Sequence, residues 1–187
     1  ISACSALDTP TFQNNYSLYN REALKAEKEG NWDAAAKRYF LALQNSEWAN
    51  EGKGVRADFH YKLGRALGAT CQFEKSEQNL DQANKLNPRM PQALAELGRL
   101  KLSQNKLADA LGYFERALPG LENSTSIDPI GIAEIFDDYS SALNKSSKAA
   151  DATSITKRAE TLRAANSGKS AAMIKPPYGG QCSQKKS

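Results

Sequence analysis

The chain has 187 residues and a formal net charge of +4, a length that suits one domain of ordinary size. Its 40% hydrophobic and 25% charged residues support a packed core and exclude a wholly disordered chain. No run of about 18 apolar residues occurs, so the sequence predicts no membrane-spanning segment. Residues 167–187 hold four lysines and no acid, which leaves 21 basic against 21 acidic residues in the body. A neutral body excludes a dedicated nucleic-acid surface, which needs a basic face.

The first residues, Ile1-Ser2-Ala3-Cys4, resemble the cleavage box of a bacterial lipoprotein. There, small residues precede a cysteine whose thiol receives diacylglycerol after a signal peptide is removed. The resemblance implies that Cys4 carries a lipid, and Ser5 after it favours the outer membrane. The alternative is a cysteine that stands there by chance. Residues 1–15 are polar and contain a proline, so we predict a linker between this anchor and the first repeat.

Two segments of the chain are alike at a spacing of 34 residues. Leu63-Gly64-Arg65 recurs as Leu97-Gly98-Arg99, and Ala83 recurs as Ala117. Each copy contains two apolar-periodic stretches of helix length that a short polar turn joins. Weaker copies lie on either side. The predicted repeats lie near residues 16–49, 57–90, 91–124 and 133–166.

This pattern resembles the tetratricopeptide repeat, whose signature places Leu-Gly, alanines, an aromatic residue and a proline at fixed offsets. The resemblance covers residues 16–166 and implies an all-α fold, a right-handed superhelical stack of about four helix–turn–helix hairpins. Two stretches interrupt the spacing. Residues 45–56 and 119–129 are extra chain, which forms either loops or extended helices. The fourth copy is expected to cap the stack.

The resemblance also implies a binding surface, because the first helix of each repeat lines a concave groove in this family. Arg65 and Arg99 hold the same position in successive repeats, so their guanidinium groups are expected to receive a carboxylate or backbone carbonyls. The alternative is that both are solvated surface arginines. The double substitution of Arg65 and Arg99 to glutamate is expected to abolish capture of the partner and to leave the melting temperature nearly unchanged. The predicted partner-binding residues are Asn20, Leu24, Tyr61, Lys62, Arg65, Ala95, Arg99, Leu102, Asp137 and Ser141.

The sequence offers little chemistry for catalysis. His60 is the only histidine, and it falls on a large-residue position of a repeat, where a packed core role is expected. No Cys-x-x-Cys pair is present, which excludes the standard zinc sites. The neighbouring acids Asp137 and Asp138 point to different faces of a helix. We therefore predict no enzyme activity, no catalytic residue, no metal and no cofactor.

The function predicted from these features is a protein-binding scaffold or adaptor of the bacterial cell envelope, anchored in the outer membrane and facing the periplasm. Its partner is a protein or peptide held in the repeat groove, its only membrane contact is the lipid on Cys4, and it binds no nucleic acid. The alternative is a pilotin-like or assembly lipoprotein for a pilus, a secretin or an outer-membrane machine.

The C-terminal tail, residues 167–187, is basic and rich in Gly and Pro, which forbid regular structure. It is either disordered or lies along the domain. If Cys4 carries lipid, two of the three cysteines are left, Cys71 and Cys182. Because the envelope is oxidising, we predict a disulfide between them that returns the tail to the turn of the second repeat. The alternative is two unrelated thiols.

Overall fold

The computed structural model describes residues 9–179 and residue 182. These residues form eight helices and no strand, and the chain divides into two compact units, Ile1–Asn87 (unit 1) and Pro88–Ser187 (unit 2). Unit 1 contains α1 (Thr9–Lys28), α2 (Trp32–Trp48), α3 (Lys53–Ala69) and α4 (Phe73–Leu86). Unit 2 contains α5 (Pro91–Ser103), α6 (Leu107–Glu122), α7 (Pro129–Lys145) and α8 (Ala149–Ala165). The predicted all-α chain of four helical hairpins is confirmed.

Each hairpin turns within three residues, and the middle residue of every such turn has a positive φ. These residues are Gly30 (71°), Cys71 (68°), Asn105 (58°) and Ser147 (60°). A left-handed residue after a helix lets the next amide groups bond back to its last carbonyls. The turn residues are spaced along the chain as the repeats are, so the same backbone turn recurs in each repeat.

The two helices of a hairpin approach closely at one small residue. A Cβ added at Gly64 would lie 2.7 Å from the Leu80 Cγ atom, and one added at Gly98 would lie 2.9 Å from the Phe114 ring. The fourth hairpin has Ser140 at this position. Its buried hydroxyl lies 2.7 Å from the Thr156 hydroxyl oxygen and donates to the Ala152 carbonyl oxygen at 3.2 Å. The larger residue is therefore accommodated there by hydrogen bonds to α8.

Both tryptophans lie on α2 in unit 1, in opposite environments. Trp32 is buried at the start of the helix, within an apolar cluster that includes Ala23, Tyr39 and Leu63. Trp48 is 59% exposed at the other end, where its ring centroid lies 5.4 Å from that of Phe12 on α1. The buried cluster therefore holds α2 between its neighbours, whereas the far end of the helix reaches water.

Three helices begin before the predicted repeat boundaries, at Thr9, Lys53 and Pro129. Helix α1 begins at Thr9, inside the segment predicted as a linker, and α2 continues to Trp48. Helix α6 continues through Pro119 to Glu122. Residues 45–56 are therefore mainly extended helix with a short loop, whereas residues 119–129 hold the end of α6 and a loop over 123–128. In residues 9–179, no helix is long and apolar enough to cross a bilayer.

Candidate peptide-binding surface

In unit 1 the first helices of the two hairpins, α1 and α3, join through polar side chains. The Lys62 ammonium donates to the Asn20 side-chain oxygen at 3.1 Å and forms an ion pair with Asp58 at 2.7 Å. Two predicted groove residues thus meet across different hairpins. Leu24 is half-buried and Tyr61 is buried. The structure therefore brings Asn20 and Lys62 into contact, whereas Tyr61 lies in the core.

Arg65 contradicts the expectation of an exposed binding residue. It is only 1% exposed, and its guanidinium lies 3.2 Å from the Glu27 carboxylate. The Tyr61 and Trp32 rings lie within 6.0 Å of it. Burial raises the pKa of the Glu27 carboxyl, and the charge of Arg65 opposes that shift. This buried ion pair is a structural element of the core, so the premise of an exposed Arg65 is wrong, and Arg65→Glu is now expected to lower the melting temperature.

Arg99 in unit 2 is likewise held by acids of the chain itself. Its guanidinium lies 2.8 Å from Glu96 on α5 and 2.6 Å from Asp138 on α7, and Arg99 is 8% exposed. Arg99 is therefore also a buried residue rather than the predicted exposed binding residue. Helices α5 and α7 are in contact, and this three-residue network joins them. We call the face that carries it the α5–α7 surface.

The acid that faces α5 is Asp138 rather than the predicted Asp137. The Asp137 carboxylate is exposed and pairs instead with Arg163 on α8, and this contact raises the pKa of the arginine. The two neighbouring acids therefore do point to different faces. A signal for Glu96 and Asp138 was present in the sequence, because both stand at the repeat position of Lys62.

Part of the C-terminal tail lies on the α5–α7 surface. The Tyr178 hydroxyl donates to Glu96 at 2.8 Å, and the Lys175 ammonium lies 2.5 Å from Asp138. Pro176 between them is buried. Upstream, the Ala172 amide donates to the Asp128 carboxylate at 3.3 Å. Residues 172–179, the tail segment, therefore lie along the domain, which is one of the two possibilities that the sequence left open.

A cavity of 380 Å³ lies where the tail segment meets the helices. Leu102, half-buried, lines it together with Arg99 and Asp138, and the tail segment closes one side. Of the other predicted groove residues in unit 2, Ala95 is buried and Ser141 is half-buried. This surface therefore holds a segment of the chain's own tail.

The structure describes two of the three cysteines, Cys71 and Cys182. Cys71 and Cys182 are each disulfide-bonded in the structure. Their pairing with one another stays a prediction. Cys4, the predicted lipidation site, lies outside the described residues.

His60 lies at the edge of the packed helices rather than in the core. The half-buried ring nitrogen Nδ1 lies 2.9 Å from the side-chain oxygen of Asn79, which joins α3 to α4. Within the described part of the chain, no three metal-ligating side chains come together.

No protein-family model matches the sequence, and no curated protein is similar to it in sequence. Its fold does resemble solved structures. BtubC (BKLC) from P. vanneervenii superposes with a TM-score of 0.72 at 22% identity, over 92% of this chain and 73% of that one. MamA superposes with a TM-score of 0.62 at 14% identity, over 86% of this chain and 90% of that one. A putative kinesin light chain with TPR-like repeats from P. anserina superposes with a TM-score of 0.63 at 12% identity, over 88% of this chain and 79% of that one. At these identities the likeness concerns the fold, and the chain has the tetratricopeptide-repeat fold that its residue spacing predicts.

Proposed function

We propose that this protein is a scaffold of the bacterial cell envelope that binds a protein partner through the first helices of its repeats. The observation that carries the proposal is the tail segment on the α5–α7 surface. An ion pair, a buried proline and a tyrosine–carboxylate hydrogen bond hold it there. These are contacts that an extended segment of another protein also makes, so the surface has the chemistry of a peptide site.

The fold supports the same function. Stacked hairpins present side chains in rows along their first helices, and repeat proteins use such extended surfaces to bind partners. The structures that resemble this chain include one described as having TPR-like repeats. The proposal includes no catalytic step, no cofactor and no nucleic acid.

Site-specific photo-crosslinking tests the binding surface. A photoreactive amino acid replaces Asn20 in unit 1 or Leu102 in unit 2, both half-buried on first helices, and Ala150 on α8 serves as the exposed control. In cells that express the full-length protein, we expect a cross-linked partner from the first two positions and none from Ala150. Cross-linking from Ala150 alone would place the partner on the second helices and contradict the proposal.

The identity of the captured protein also tests the alternative role as an assembly lipoprotein. A component of a pilus, a secretin or an outer-membrane machine at Asn20 or Leu102 would favour that role. Any other envelope protein would favour a general adaptor.

The membrane anchor is a separate part of the proposal and has its own test. The support for it is the Ile1-Ser2-Ala3-Cys4 box. When the protein is expressed with its natural signal, we expect it to fractionate with membranes, and Cys4→Ser should release it to the soluble fraction. Cys182→Ser is the control and should stay with the membranes. Wild-type protein that is soluble from the start would refute the anchor but not the binding surface.

A further inference from the structure

The charges of the α5–α7 surface favour a cationic ligand. Glu96 is 2% exposed and contacts the Arg99 guanidinium, which also contacts Asp138. The Asp138 side chain is 15% exposed and accepts a second cation, the Lys175 ammonium of the tail segment, in a place that water screens poorly. Lys145 lines the same cavity but is exposed, so solvent screens its charge. The sequence had predicted the opposite, a site where arginines receive a carboxylate.

The geometry of the two acids shows where a ligand belongs. Glu96 contacts Arg99 through Oε1 and accepts the Tyr178 hydroxyl on Oε2. Asp138 contacts Arg99 through Oδ2 and receives the Lys175 ammonium on Oδ1. In each case one oxygen fixes the carboxylate and the other meets the tail segment. Arg99 therefore acts as a positioning residue that holds both acceptors in place.

The tail segment matches these acceptors with a simple pattern. A lysine supplies the charge, a buried proline follows it, and a tyrosine three residues after the lysine supplies the hydroxyl. The Tyr178 amide also donates to the Pro176 carbonyl at 2.9 Å, which fixes the turn between them. Prolines reduce the conformational freedom that such a segment loses on binding.

We propose that the α5–α7 surface binds an extended partner segment that carries a lysine or arginine followed at the third position by a tyrosine. The tail segment is the internal competitor of that partner. This inference rests on the proposed function and adds to it the chemistry of the ligand. It also means that binding requires displacement of the tail segment, so the accessible fraction of the site sets the apparent affinity.

Fluorescence anisotropy with a labelled peptide of residues 172–179, AMIKPPYG, tests the competition on the full chain. The wild type holds its own tail segment on the site, whereas Lys175→Glu with Tyr178→Phe and Cys182→Ser weakens and untethers it. We expect the triple variant to bind the peptide at least about tenfold more tightly than the wild type. Lys175→Glu alone, at a side chain that is 45% exposed, should shift affinity in the same direction without opening the core.

Matched substitutions in the triple variant test the acceptors. Asp138→Asn removes the negative charge that faces the lysine and should weaken peptide binding by about tenfold or more. Asp137→Asn is the control, because the neighbouring acid pairs with Arg163 instead. A peptide with glutamate in place of its lysine should not bind. Far-ultraviolet circular dichroism checks that each variant is folded.

Two results would overturn the proposal. One is equal peptide affinity for the wild type and both released variants, and the other is equal loss in Asp137→Asn and Asp138→Asn. If photo-crosslinking at Asn20 still captures a partner, the proposed scaffold function is retained and only the assignment of this ligand is rejected. If neither experiment gives binding, both fall.

Discussion

At the scale of single residues, the buried ion pair between Arg65 and Glu27 makes a strong prediction. Removal of one partner leaves a charge in a site from which water is excluded, so Arg65→Ala should lower the free energy of unfolding by about 3–5 kcal/mol. Urea denaturation measures this. Lys25→Ala is the control, because the Lys25 side chain is 79% exposed beside Glu29, and it should change stability by at most about 0.5 kcal/mol. Equal effects of the two substitutions would contradict a structural role for Arg65.

The sequence could identify Arg65 as a repeat position but not as a buried one. Its partner Glu27 lies 38 residues upstream on another hairpin, and no local pattern links the two. Glu96 is different, because it stands one helical turn before Arg99 and such pairs meet on a helix surface. Contacts within a helix are therefore predictable from spacing, whereas contacts between hairpins depend on packing that the repeat pattern does not encode.

At the scale of the helices, the contact between Gly98 and Phe114 sets how closely α5 and α6 approach. Gly98→Ala places a methyl group against the ring, and we expect a loss of about 1–3 kcal/mol in the free energy of unfolding. Gly112→Ala on α6 is the matched control, because no neighbouring atom lies within 4 Å of its added Cβ. It should raise stability by about 0.5–1 kcal/mol through better helix propensity. A Gly98→Ala protein as stable as Gly112→Ala would contradict close packing at this point.

Hairpins were predictable because the same small and large residues recur at the repeat spacing. The helix ends were not. Helix α1 extends back to Thr9, and α6 runs on past Pro119, although a proline usually marks a helix start or a break. Helix ends depend on a few local bonds. At the end of α6, for instance, the Asn123 side chain donates to the Pro119 carbonyl. The periodicity of apolar residues does not predict such a bond.

At the scale of the whole molecule, the predicted Cys71–Cys182 disulfide is directly testable. Peptide mapping without reductant, on protein secreted to the periplasm, should recover the cross-linked pair. Since the bond closes a loop of about a hundred residues, Cys182→Ser should lower the free energy of unfolding by up to about 4 kcal/mol in the chain-entropy model. Two freely alkylated thiols in the secreted protein would refute the pairing.

The position of the tail segment is the part of the site that the sequence could not give. Residues 167–187 have neither helical nor strand periodicity, so pattern alone could not decide between disorder and docking. The outcome depends on Lys175 and Tyr178 finding carboxylates on two helices far earlier in the chain. The predicted groove residues do lie on the first helices of the hairpins, because the repeat spacing fixes which helix comes first in each hairpin.

The placement of both tryptophans in unit 1 has a practical consequence for spectroscopy. Trp32 is buried and Trp48 is exposed, so indole fluorescence reports the opening of α1–α4 mainly through Trp32, whose emission shifts to longer wavelength in water. Far-ultraviolet circular dichroism instead follows all the helices. Coincident transitions in the two signals would show that the two units unfold cooperatively. Separate transitions would show which unit unfolds first. The tryptophans are therefore an intrinsic optical probe of unit 1, and thermal unfolding of this unit can be followed without an added label.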